Sequence, residues 1–309
     1  MVFGRTDDVI QPFRVDPLAV LGRVVRLGDT VDRVLGQHAY PEPVSRLLGE
    51  TMALAAGVAG ALKFDGVLSI QVKGDGPLRL LVADYATGGR MRGYAAYDAQ
   101  RLAARDGDAA APGEPVPRFI GAGVLAFTVD QGPDTETYQG LVELAGGTMA
   151  GCAHHYFRRS EQFDAVVKLA VGRDDTGRWR AGALMLQREP DIGGAAPATP
   201  DGLDEDERWR RALAFAASAT SADLLDRELP ADHLLWRLYH EDGVRVFQPK
   251  PLAFGCRCSR ERAEAVLLAL PPDDLESMTI EGAIHVTCQF CNRTESFDRA
   301  ALPPAHGHA

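Results

Sequence analysis

The sequence predicts an α+β protein: an N-terminal domain of mixed sheet and helix, a helical linker, and a small C-terminal module. Three observations predict it. Short strand-like runs follow one another between turn signals, with only a few helical patterns among them, which favours antiparallel pairing. One long stretch after Pro41 and Pro43 keeps the 3.6-residue period of a buried helix face. Four of the five cysteines fall near the C-terminus, in two tight pairs.

The elements follow in order. Residues 20–27 (VLGRVVRL) read as a strand, and Thr30 opens a short helical pattern running to His38. In the long helix, Val44, Leu47, Leu48, Met52, Ala55, Val58, Ala59 and Leu62 recur on one face. Its remaining residues are small (AAGVAGA), which permits close packing against a sheet or a second helix. Strand-like runs come next at 67–73, 78–85, 91–97, 123–129 and 138–144, with GDGP at 74–77 marking a hairpin. Residues 105–118 read as a loop. A helix over about 147–162 and strands at 164–171 and 181–187 complete the first domain.

Composition then changes. Residues 190–207 (PDIGGAAPATPDGLDEDE) are rich in Pro, Gly, Ala and acid, as a flexible connector is. Short amphipathic patterns at 206–217, 220–228 and 231–240 are too short to be stable alone, so they must lean on something, most simply the first domain. The expected division is 1–188 for the core, 189–248 for the linker, 249–302 for the cysteine module and 303–309 for a tail.

Composition also excludes. A net charge of −10 argues against a nucleic-acid or anionic-membrane binder. No stretch approaches the ~18 uninterrupted apolar residues of a membrane span, and MVFGRTDDVIQPF has no signal-peptide pattern. A cytoplasmic protein with reduced thiols is expected.

Cys256-Arg-Cys258 and Cys288-Gln-Phe-Cys291 are separated by 29 residues. Each pair can close half of a tetrahedral coordination sphere from one turn, so Cys256, Cys258, Cys288 and Cys291 are the expected ligands of one Zn²⁺. Between the pairs, Ser259 caps a helix that Pro271-Pro272 ends, 273–278 make a second short helix, and Ile284, Val286 and Phe297 suggest a hairpin. So small a module is marginal alone, and metal should supply much of its folding free energy, on the order of 10 kcal/mol. Thiolate is also the form that oxidants attack. Such a site is physically suited to be an oxidation switch, although most zinc-thiolate sites are simply structural.

Other candidates read more plainly. His285 is a surface or packing residue, and His306 and His308 belong to a disordered end. Cys152, beside His154 and His155, reads as a small buried hydrophobe. Gly121-Ala-Gly123 lacks the helix a nucleotide loop needs. A zinc-ribbon nucleic-acid binder is disfavoured because residues 251–300 carry 5 Arg and no Lys against 8 Asp plus Glu. A thiol oxidoreductase using Cys288 and Cys291 lacks the βαβ setting and leaves the first pair unexplained.

Several stretches together resemble the 33 kDa chaperonin family, the redox-regulated heat shock protein 33 homologs. GRVVRLG at 22–28, HAYPEPVSRLLGE at 38–50, GDGPLRLLVADY at 74–85, YQGLVEL at 138–144 and YFRRSEQ at 156–162 resemble its N-terminal domain. FGCRCSRER at 254–262 and CQFCNRTESFD at 288–298 resemble its zinc module. The resemblance implies a non-enzymatic, ATP-independent holdase, inactive when reduced and zinc-bound. On oxidation Cys256 would pair with Cys258 and Cys288 with Cys291. Zinc would then leave, the linker would unfold, and unfolding client proteins would be bound by a homodimer. A ring closed across the single spacer of Cys256-Arg-Cys258 would be tight and readily reduced, as a reversible switch requires.

Overall fold

A computed structural model describes residues 7–108, 113–132, 135–161, 164–189 and 204–302. Most of the connector expected at 190–207, and the tail with His306 and His308, lie outside these residues. The chain divides into two compact units, one ending at Phe254 and one beginning at Gly255.

Two sheets organise the first unit. Strands β1 (Val9–Val15), β2 (Val20–Leu27), β8 (Ala165–Arg173), β9 (Trp179–Arg188) and β10 (Arg245–Val246) form one sheet, ordered β10-β1-β2-β9-β8. Strand β11 (Lys250–Pro251) also pairs with β1. The other sheet runs β12-β5-β4-β3-β6-β7. Its members are β3 (Val67–Gly74), β4 (Leu78–Ala86), β5 (Arg90–Tyr97), β6 (Gly123–Asp130), β7 (Tyr138–Glu143) and β12 (Ala253–Phe254). Among the described strands all pairings are antiparallel except β12 on β5. That agrees with the α+β expectation.

Helix α2 (Glu42–Ala61) lies between the sheets, touching β2, β8 and β9 of one and β3, β4 and β5 of the other. Its small residues explain the position. Ala53, Ala55 and Ala56 are fully buried beside Leu48, Met52 and Leu54, and these small residues let the backbone of α2 approach its neighbours closely. Helices α1 (Asp29–Gly36) and α4 (Met149–Tyr156) pack beside it.

The first sheet is apolar on both faces. Val25, Leu27, Ala183 and Met185 point toward α2, whereas Val20, Val24, Leu184 and Leu186 point the other way. That second face is covered by α5 (Glu205–Ser218), α6 (Ser221–Leu225) and α7 (Ala231–Tyr239), which bring Ala212, Leu224, Leu234, Leu235 and Tyr239 onto it. Each fully buried Leu contributes about 1.5–3 kcal/mol. The short amphipathic helices thus lean on the first sheet.

Polar contacts fix them there. Arg26 is buried and donates to the backbone oxygens of Asp226 and Asp223, the latter at 3.0 Å. Arg180 Nε donates to Leu225 O at 2.6 Å, and its other nitrogens pair with Asp7. Lys168 Nζ donates to Ala217 O at 3.1 Å and to Ala219 O. These cations satisfy carbonyls at the C-terminal ends of α5 and α6, where the helix dipole is negative. At its other end α5 has a capping box, Asp204 with Glu207, built from the acidic run at the end of the connector.

Two differences from the sequence reading concern the first unit. Strand β1 does not announce itself because Pro12 interrupts it. Pro12 has no N–H, and it falls between the pairings of β10 (at Phe13 and Arg14) and β11 (at Val9 and Ile10), where none is needed. The loop expected at 105–118 is bounded by helix. Helix α3 (Ala99–Asp106) precedes it, and a helical turn at Val116–Ile120 buries Val116, Phe119 and Ile120. Those apolar residues were masked by the Pro and Gly around them.

The second unit is small. Helices α8 (Arg260–Leu268) and α9 (Pro272–Ser277) pack on a hairpin of β13 (Ala283–Thr287) and β14 (Thr294–Asp298). Its core is Leu267, Leu275, Ile284, Phe297 and Leu302.

Candidate metal centre

The cysteine pairs sit on two turns of the second unit. Cys258 directly precedes Ser259, whose side chain accepts from Arg262 N at 3.2 Å and caps α8. The first pair therefore lies at a helix N-terminus, where the dipole favours thiolate. Pro271 stops the chain from extending α8, and Pro272 occupies the first turn of α9.

The second pair occupies the turn of the hairpin. Cys288 N donates to Arg293 O at 2.9 Å, and Asn292 N returns to Cys288 O at 2.8 Å. Asn292 closes this turn with φ of 56°, a left-handed conformation that Asn tolerates better than most residues. On the far side, Arg260 lies over the Phe297 ring at 4.3 Å and donates to Ser296 O at 2.9 Å, tying α8 to β14.

These turns bring the four thiols together. All four Sγ atoms lie within 4.8 Å of one another. Cys256 is 3.7 Å from Cys288, and Cys258 is 3.4 Å from Cys291. A tetrahedral ion with metal–sulfur bonds of about 2.3 Å requires sulfur–sulfur edges of about 3.8 Å. The four half-buried thiols match that size and can hold a metal ion.

Their acidities are unequal. Burial opposes ionisation of Cys256, but the Cys258 backbone N–H and the neighbouring thiols outweigh it and draw its pKa down to about 7. Burial and the surrounding thiols push Cys258 well up, and burial raises Cys291. Four crowded sulfurs cannot all ionise without a cation among them.

The remaining candidates stay apart. His285 is exposed on β13 and is no part of the thiol cluster. Cys152 is fully buried on α4, its Sγ facing Gly146 O at 3.7 Å, and burial pushes its pKa up to about 11. It is a core residue. Gly121 and Gly123 lead into β6, with no helix after them. The turn-closing Asn292 escaped the sequence reading, although an Asn straight after the second cysteine of a turn is a signal for it. No helix among the described residues is long and apolar enough to cross a membrane.

Comparison with known proteins bears on this arrangement. The family model described as Hsp33 protein matches residues 8–298. A 33 kDa chaperonin of Caulobacter vibrioides is 43% identical over 299 residues, covering 96% of each chain. One from Ectopseudomonas mendocina is 38% identical over 298 residues, covering 96% of this chain and 94% of its own. Among solved structures, the 33 kDa chaperonin (heat shock protein 33 homolog) of Thermotoga maritima aligns with a TM-score of 0.75. The aligned region covers 96% of each chain at 24% identity, a likeness of fold.

Proposed function

The chain belongs to the Hsp33 protein family, and from that premise we propose that it is an ATP-independent holdase chaperone switched by oxidation of its thiol centre. The observation that carries the reading is the cluster of four thiols within 4.8 Å on a module with few core residues. When bound by Cys256, Cys258, Cys288 and Cys291, Zn²⁺ would supply the cross-link that so thin a core lacks.

Oxidation then acts on the protein's own sulfurs. One peroxide takes two electrons from Cys256 and Cys258, forming one S–S bond and leaving as two waters. A second does the same with Cys288 and Cys291. Each pairing removes two thiolates from the ligand set, and the module loses its cross-link. Loss of order then spreads to the linker over 189–248. Lifting its helices uncovers the Phe13, Val24 and Leu184 face of the first sheet, which holds unfolding clients as a homodimer. Neither catalysis nor nucleic acid nor membrane has a part in this cycle, which belongs in the cytoplasm.

The test is an aggregation assay with a thermally unfolded client, before and after peroxide at elevated temperature, with zinc release followed in parallel. Suppression of light scattering should appear on oxidation, together with about one equivalent of released zinc. Equal activity of the reduced and oxidised forms would contradict the switch.

A further inference from the structure

The first unit contains a second site of a different character. A cavity of about 180 Å³ opens where α2 ends, between the two sheets. Leu68, Phe127, Phe157 and Met185 line its inner part, and each is at most 2% exposed. No charged side chain stands among these four. An apolar cavity of about 150 Å³ stays dry and takes up benzene, so this one has room for a single aromatic ring.

The rim is different. Leu62 and Tyr138 are 39% and 51% exposed, large apolar side chains held at the mouth. Beside them stands Lys63, which makes no ion pair with any other described residue. Gln131 adds an amide at the same edge. An enclosed apolar interior with one or two polar groups at its entrance is the usual build of a small-molecule site.

We propose that this cavity binds a small monocarboxylate bearing one aromatic ring, with the ring among Leu68, Phe127 and Met185 and the carboxylate on Lys63. The size of the cavity sets the ring, and the unpaired ammonium sets the charge of the head. The site lies in the first unit and does not depend on the chaperone reading.

The test uses the full reduced chain labelled with ¹³C-methyl methionine. The Met185 resonance is assigned by loss in Met185→Leu, and 3-phenylpropionate and uncharged propylbenzene are titrated to millimolar concentration. Phenylpropionate should shift the Met185 methyl saturably, leave exposed Met278 unmoved, and raise the unfolding temperature, since it binds only the folded state. Val129→Phe, which fills the cavity from β6, should abolish the shift. If that variant does not fold, Lys63→Gln at the exposed rim decides. It should weaken phenylpropionate roughly fivefold and leave propylbenzene unchanged. A Met185 methyl that does not respond overturns the site. A Lys63→Gln chain that binds phenylpropionate as well as the parent overturns the carboxylate assignment.

Discussion

Asn292 shows how much one backbone angle can decide. Its positive φ lets the chain turn back so that its N–H reaches Cys288 O, which sets the positions of Cys288 and Cys291. Asn292→Val places a β-branched residue where it is strained, at about 1–2 kcal/mol, whereas Asn292→Gly is tolerated. Competition with a chelator should show zinc held about tenfold more weakly by the valine variant and little changed in the glycine one. Glu50 shows the same economy at a half-buried position on α2. Burial raises its pKa to about 7 although Arg46 opposes the shift, and its Oε2 has no hydrogen-bond partner. The folded chain therefore holds this proton more tightly than the unfolded chain, whose pKa is near 4.5. The associated stability is present at low pH and is lost as pH rises through the folded value. Glu50→Gln should thus be more stable than the parent at about pH 8, by on the order of 1–3 kcal/mol, with the gap closing near pH 5. Urea unfolding at both pH values measures it, and a pH-independent difference would contradict the buried-carboxylate account.

Among the elements, α6 meets the sheet closely, because Gly182 has no side chain. A Cβ there would lie 2.7 Å from Leu224 O, a backbone atom with nowhere to go. Gly182→Val should push α6 off β9 at a cost of about 1–3 kcal/mol, loosening the linker helices without touching the thiols. On the proposed mechanism, this variant protects a heat-unfolded client in its reduced form, in the light-scattering assay used for the oxidised parent. A reduced variant as inactive as the parent would contradict the role given to these helices. How legible the elements were follows from their periods. Helix α2 and strands β3 to β7 repeat cleanly and were read within a few residues of their ends. Strand β1 was hidden by Pro12, and Arg26 and Arg180 gave no sign of their partners. Those partners are backbone oxygens some 200 and 45 residues away, and no local pattern encodes such a contact.

For the whole molecule, the two units differ in what holds them. The first has a large core on both faces of one sheet, and the second has only a few buried apolar residues. Stripping metal from the reduced chain should therefore leave amides of β2, β3 and β9 protected from hydrogen exchange while those of β13 and β14 exchange freely. Loss of protection in β3 on chelation would show that the first unit also depends on metal. The four cysteines that cluster were legible as candidates, since residue type and spacing are local. The Ser259 cap and the Pro271-Pro272 break were readable with the pairs, and what the sequence withheld was the left-handed Asn292 turn that seats Cys288 and Cys291.

The face beneath α5 to α7 is greasy, but Arg26, Arg180 and Lys168 stud it with positive charge, each currently occupied by carbonyls of those helices. Any polypeptide that took the helices' place would have to bring oxygen acceptors to the same spots or leave Arg26 and Lys168 without them, at about 1–3 kcal/mol or more each, while Arg180 keeps the Asp7 carboxylate. A segment with carboxylates among its apolar residues would satisfy them, and one rich in lysine would be turned away. A second copy of the same bared face would be turned away too, like charge meeting like, so this face carries a guard against pairing with itself.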